Sequence, residues 1–266
     1  MHLKVFIDEA DSHTANVVVA GYVAQVRQWR RFNKLWRKAL KKRGLSFFHT
    51  QELWDSDGEF STLSLQAKEA LRIRLFEIAD SNLLVGFTIR INEADFNRYY
   101  IGDNPRAHRD SQYGLCLRWA FCVLPEYVEA LLGKEVKNIH FILERGHRNF
   151  QDCQRIFEEI KDSNWEYAPK LGTFSGGSKG EFPGLEAGDA LATGSAKAWD
   201  HVTSSLTAEP EDARQAIQVV GERCPVIRFQ ADEEFLRDLK QERIDYAKLI
   251  ARARRARKKA KRTVSR

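Results

Sequence analysis

The sequence predicts an α/β fold, a mixed sheet flanked by helices, with a C-terminal helical basic extension. Two observations predict it. Short apolar, β-branched runs come first and then alternate with segments of helical periodicity. The chain is also long and apolar enough, 266 residues at 43% hydrophobic, to bury a sizeable core. No internal repeat and no clear linker divides it. The expected layout is one domain over 1–231 and a C-terminal helix with a basic tail over 232–266.

The first strand is Leu3 to Ile7, a buried-looking run that ends in Asp8-Glu9. Val17 to Val23 is apolar and β-branched and reads as its hairpin partner. Trp29, Phe32, Trp36 and Leu40 then form one helical stripe with Arg and Lys between them. The aromatics read as core anchors, and the basic face can still approach nucleic acid. Gly44 caps that helix. Phe47-Phe48-His49 is a short apolar segment, and 50–63 is polar and reads as a loop. Ser64 opens a helix with Leu71, Leu75, Ile78 and Ala79 inward, and 83–91 alternates as a strand. A long helix follows, carrying Tyr113, Leu117, Phe121, Leu124, Val128 and Leu131 on one side and bent at Pro125. Val136 to Glu144 is a second strand that ends in an acid. Phe150 to Ile160 is helical. The Gly- and Ser-rich stretch 171–184 reads as a loop leading into a small-residue helix, Leu185 to Trp199. Pro225 to Phe229 is a last edge strand. Asp232 to about Arg255 is a long helix.

Several classes are excluded. No apolar run spans a bilayer, and no leader-like pattern opens the chain, so no membrane partner is expected. Cys116, Cys122, Cys153 and Cys224 lack Cys-x-x-Cys spacing, which removes zinc-knuckle and redox readings and leaves free thiols in a reducing cytoplasm as the expectation. The net charge of +6 is an average over two different parts. Nine basic residues and no acid lie in 252–266. The rest of the chain then holds 34 basic against 37 acidic residues. Arg252, Arg254, Arg255, Arg257, Lys258, Lys259, Lys261 and Arg262 are therefore either a nucleic-acid-binding arm or a solvated end.

Three acids stand out. Asp8 and Glu144 each end an apolar strand, where a lone carboxylate is either a solvated turn residue or a held charge. Asp189 lies four residues after Leu185, on the packed side of its helix. If the strands are neighbours and the helix crosses their ends, the three meet, and clustered carboxylates require a cation. Oxygen donors without Cys or paired-His spacing point to Mg²⁺ or Mn²⁺.

These residues resemble a known family. Phe6-Ile7-Asp8-Glu9-Ala10 is similar to the N-terminal signature of the domain of unknown function 3800 family. Phe48-His49 resembles its Phe-His element, and Ile142-Leu143-Glu144-Arg145 its strand ending in an acid. Ser178-Lys179 and the segment from Gly184 to Ala192 resemble its Ser-Lys element and its acid-bearing helix. The likeness covers roughly residues 3–200. It implies a ribonuclease H-like fold, with Asp8, Glu144 and Asp189 as ligands of a catalytic metal pair. Two positions depart from the family. Glu186 stands where Gln is usual, and Gly188 where Ala is usual. Glu186 is either an extra ligand or a solvent-facing acid. Glu9 is a lesser candidate for a metal ligand, set against a supporting or solvated acid beside the ligands. His49 and Lys179 are candidates to hold water or phosphate, set against ordinary capping and loop roles. Arg145, His147 and Arg148 either meet a phosphate backbone or form a charged turn.

The expected function is a Mg²⁺- or Mn²⁺-dependent phosphodiesterase acting on DNA or RNA. The alternatives are a non-catalytic nucleic-acid-binding or scaffold protein that keeps the fold, and an enzyme acting on a small phosphorylated substrate.

Overall fold

Leu3 to Ile7 pair with neighbours on both sides, which places the first strand at the centre of the sheet. The computed structural model describes residues 1–11, 16–53, 55, 57–102, 110–146, 149–204 and 223–241. Its strands are β1 (His2–Asp11), β2 (Asn16–Gln25), β3 (Val85–Asn92), β4 (Asn138–Glu144), β5 (Leu171–Gly177) and β6 (Val226–Gln230). They form one mixed six-stranded sheet in the order β5-β4-β1-β2-β3-β6. β1, β2 and β3 are successive antiparallel neighbours. β4 joins β1 in parallel, β5 joins β4 in parallel, and β6 joins β3 in parallel.

The two-residue alternation of the strands divides the core into two layers. Leu3, Val5 and Ile7 of β1 and Phe141 and Leu143 of β4 face α5 (Gln112–Leu132) and α6 (Phe150–Lys161). Phe6 of β1 and Ile142 of β4 face the opposite layer. That layer holds α1 (Val26–Lys41), α3 (Leu65–Asn82) and α7 (Pro183–Ser204). Asp8 and Glu144 have the parity of Phe6 and Ile142, so both point toward α7. Glu9 has the parity of Ile7 and points the other way.

Local sequence accounts for most boundaries. Ser64 caps α3 by accepting from the Ala67 N–H at 3.2 Å, and Ser111 caps α5 by accepting from Gly114 at 2.9 Å. Gly44 follows α1 with φ +74°, a backbone region that favours glycine. In the α1 layer Phe6, Trp29, Phe32, Trp36, Phe48 and Phe60 form a continuous run of ring contacts with centroids 4.6–6.0 Å apart. In the other layer Asp110, fully buried, pairs with Arg118 at 2.6 Å and Arg155 at 2.8 Å and ties α5 to α6. α4 (Glu93–Asp95) is a single turn that passes into a π-helical turn over Phe96–Ile101.

Two segments differ from the sequence expectation. The stretch 171–184 is not a loop throughout, because Leu171–Gly177 is the edge strand β5. Its glycines are needed for close approach. A Cβ at Gly177 would stand 2.5 Å from the Phe182 ring, and one at Gly176 3.2 Å from Phe150. The stretch 50–63 likewise contains α2 (Thr50–Leu53) and a 3₁₀ turn over Glu59–Thr62. At the C-terminal side, 233–241 is helical and belongs to the same core: Leu236 is fully buried and Phe235 stacks on Trp119 at 4.1 Å. The basic residues from Arg252 to Arg262 lie outside the described residues, as do His147 and Arg148. Among the described residues no helix is long and apolar enough to cross a membrane.

Candidate active site

The carboxyl ends of β1 and β4 lie side by side, and their onward connections diverge. β1 turns back into β2 on one side, while β4 leads through α6 to β5 on the other. In an open sheet with parallel strands, the crevice outside such a point is where ligands bind. Asp8 sits in it from β1 and Glu144 from β4.

α7 closes the crevice. Pro183 starts this helix, where a missing N–H costs nothing. Leu185, Asp189, Ala192 and Ala196 share its inward side, and all are buried. Small residues let it lie close on β1 and β2. A Cβ on Gly184 would meet the Phe6 ring at 2.5 Å, and one on Gly188 would meet Asp8 Cβ and N at 3.3 Å. Gly188 is thus the point at which α7 rests on Asp8.

The three acids converge on a cation of the chain itself. Lys179, two residues past β5, places its Nζ 3.0 Å from Asp8 Oδ2, 3.2 Å from Glu144 Oε2 and 3.4 Å from Asp189 Oδ1. The turn that carries Lys179 is closed by Glu181 and Phe182 N–H groups donating to the Ser178 carbonyl. Asp8 is 2% exposed. Burial raises its carboxyl well above the usual range, Lys179 pulls it back, and Asp189, Glu9 and Glu144 push it up again. Lys179 responds in the opposite sense: burial alone would lower it, but the surrounding acids hold it above its ordinary value.

Asp189 and Glu186 are fixed by backbone and indole donors. Asp189 Oδ2 accepts from the Thr50 N–H at 2.7 Å and so holds the start of α2. His49, just before it, bonds Glu52 Oε1 through Nδ1 at 3.2 Å and places Nε2 4.0 Å from Asp189 Oδ1. Glu186 is neither solvent-facing nor turned to the cluster. Its Oε2 accepts from Trp36 Nε1 at 2.7 Å and from the Phe48 N–H at 2.9 Å. Burial pushes its carboxyl up to about 7, against those two donors and Arg37. Its spacing, three residues before Asp189 on one helix face, was the sequence signal that it faces inward. Glu9, across the sheet, interacts with Tyr113 and raises that buried phenol further. Its backbone N–H donates to Asp8 Oδ1 at 2.9 Å. Arg145 is exposed and donates to the Gly176 carbonyl at 3.2 Å.

Among the described residues no three His, Cys, Asp or Glu side chains stand as a ready metal cage. The Lys179 ammonium holds the middle of the cluster. The donors themselves suit a hard divalent ion, being carboxylate oxygens with no thiolate among them. Asp8 Oδ2 is buried, and its close partner is the Lys179 ammonium at 3.0 Å.

No family model matches the chain. No curated protein matches it either. Among solved structures, it is similar to a chain in the structure of the PCNA:RNase HII complex from Archaeoglobus fulgidus. That match has 15% identity and a TM-score of 0.38, over 84% of this chain and 89% of the other.

Proposed function

We infer that this chain is a Mg²⁺- or Mn²⁺-dependent phosphodiesterase acting on nucleic acid, with a ribonuclease H-like arrangement of the kind its resemblance to the domain of unknown function 3800 family implies. One observation carries the inference: Asp8, Glu144 and Asp189, far apart in sequence, gather about a single cation in the crevice at the carboxyl ends of β1 and β4. A purely structural ion cluster does not need that location.

Asp8, Glu144 and Asp189 would hold the ion. When bound, it would polarise a water and offset the charge that grows on the phosphoryl oxygens. Lys179, moved off the centre by a bound ion, would supply ammonium donors beside the cluster, suited to an anionic phosphate oxygen. His49, half-buried and oriented through Nδ1 by Glu52, can hold a proton at Nε2 at the rim. The Thr50 N–H keeps Asp189 in one orientation, and α7 excludes water from the Asp8 side.

The test is incubation of purified protein with labelled single-stranded, duplex and hybrid DNA or RNA, in Mn²⁺, Mg²⁺ or EDTA. Cleavage lost in EDTA and in Asp8→Asn is expected. Cleavage that survives both would overturn the inference. A second reading has its own observation, since Lys179 already neutralises part of the acid charge without a metal. A non-catalytic nucleic-acid-binding protein would bind these substrates and cleave none under any metal.

A further inference from the structure

The segment 26–43 carries Arg27, Arg30, Arg31, Lys34, Arg37, Lys38, Lys41, Lys42 and Arg43, and no acid. All nine are exposed. At 3.6 residues per turn, the seven within α1 fall in an arc of about 120°. That arc lies opposite the buried stripe of Trp29, Phe32, Trp36 and Leu40. Solvated helix faces elsewhere in the chain are mixed in sign. α3 pairs Arg72 with Glu69 and Arg74 with Glu77, and α6 pairs Arg155 with Asp152 and Glu159. Among the described residues no ion pair joins an α1 cation to a carboxylate.

Such a stripe is unfavourable for the helix alone. Like charges one turn apart cost on the order of a few tenths of a kcal/mol each. Arg27 in the first turn also opposes the helix dipole. An external polyanion removes both penalties. The stripe leads to the acid cluster, because Arg37 Nη2 donates to the Glu181 carbonyl at 2.8 Å, in the turn that carries Lys179.

We propose that the outer face of α1 is a rigid track for the sugar–phosphate backbone of a nucleic acid whose scissile region reaches Asp8, Glu144 and Asp189. The partner is a duplex or hybrid rather than a lipid surface. Membrane-surface helices lay apolar side chains into the bilayer beside their cations, and here every large aromatic of α1 is buried in the core. A 16-residue helix is about 24 Å long. At one phosphate per 3.4 Å of axis, that spans about seven phosphates of one strand. The assignment rests on the nucleic-acid reading of the site but does not require turnover.

Binding of a short DNA duplex and of an RNA–DNA hybrid, in EDTA and across a salt series, tests it in the full chain. The variant is Arg27→Gln/Arg31→Gln/Lys34→Gln/Lys38→Gln. Its control, with the same charge removed elsewhere, is Arg74→Gln/Lys134→Gln/Lys137→Gln/Arg237→Gln. With four phosphate contacts gone, the slope of log affinity against log salt falls by about 3.6. The affinity ratio between about 50 and 200 mM salt then shrinks by about two orders of magnitude, and the control keeps most of its slope. Circular dichroism and the melting temperature check folding, and relief of like-charge repulsion leaves Tm equal or higher. An unchanged slope, or an equal fall in the control, overturns the track. So does stripe-dependent binding to anionic phospholipid vesicles in preference to both nucleic acids. If binding follows the stripe while no metal supports cleavage, the track stands and the catalytic reading fails.

Discussion

Replacing Glu186 by Gln should flatten the dependence of stability on pH. Glu186 is 2% exposed, and burial pushes its carboxyl from an ordinary 4.5 to about 7. The folded state therefore binds this proton more tightly than the unfolded state. A group with a raised folded value contributes its stability in full below about 4.5 and loses it as pH climbs through about 7. At about 1.4 kcal/mol per pH unit, wild type loses about 3 kcal/mol from this residue between pH 4 and 8. Gln does not titrate, and its amide oxygen can still accept from Trp36 Nε1 and the Phe48 N–H. Urea unfolding of both proteins across that pH range, in EDTA, gives the difference directly. Other groups titrate in both proteins and cancel to first order. In this size class the divergence amounts to about 6–12 °C in Tm, with Gln gaining on wild type as pH rises. Parallel pH profiles would show that Glu186 is not held as an uncharged or half-charged acid, and the reasoning about its pocket would fail.

Other substitutions have equally definite outcomes. Trp36→Phe removes the indole donor to Glu186 and should cost about 1–3 kcal/mol in urea unfolding while steepening the pH profile, an effect absent in a Glu186→Gln background. Lys179→Met strips the acids of their internal cation and should cost about 3–5 kcal/mol at neutral pH. The loss should be smaller at acid pH and partly recovered by Mn²⁺, because binding to the folded state adds stability by mass action; equal stability at pH 5 and 8 would refute the charge argument. Gly184→Ala drives a methyl into the Phe6 ring and should lower stability by about 1–3 kcal/mol, read by thermal melting.

What was legible in the sequence follows from where the determining interactions lie. Asp8 and Glu144 could be read because an apolar run that stops at an acid is a local pattern. Asp189 could be read because helical spacing puts it with Leu185 and Ala192. Their meeting depends on β4 joining β1 in parallel, a long-range pairing that no local pattern encodes. β5 was hidden because its glycines, read locally, signal a turn. They are set by Phe150 and Phe182, which press on the strand from elsewhere in the chain. α2 was hidden because one of its N-terminal backbone donors is satisfied by Asp189, 139 residues away. Glu186 was read as a ligand or a solvated acid because its partners, Trp36 and the Phe48 backbone, are as remote. The central place of Lys179 among the acids is likewise a product of the assembled sheet.

The most direct measurement is a crystal structure grown with Mn²⁺, read by anomalous scattering. A manganese peak ligated by Asp8, Glu144 and Asp189, with the Lys179 ammonium moved off the cluster centre, is the predicted result. An unchanged Lys179 amid the three acids, and no manganese peak there, would contradict the proposed metal centre.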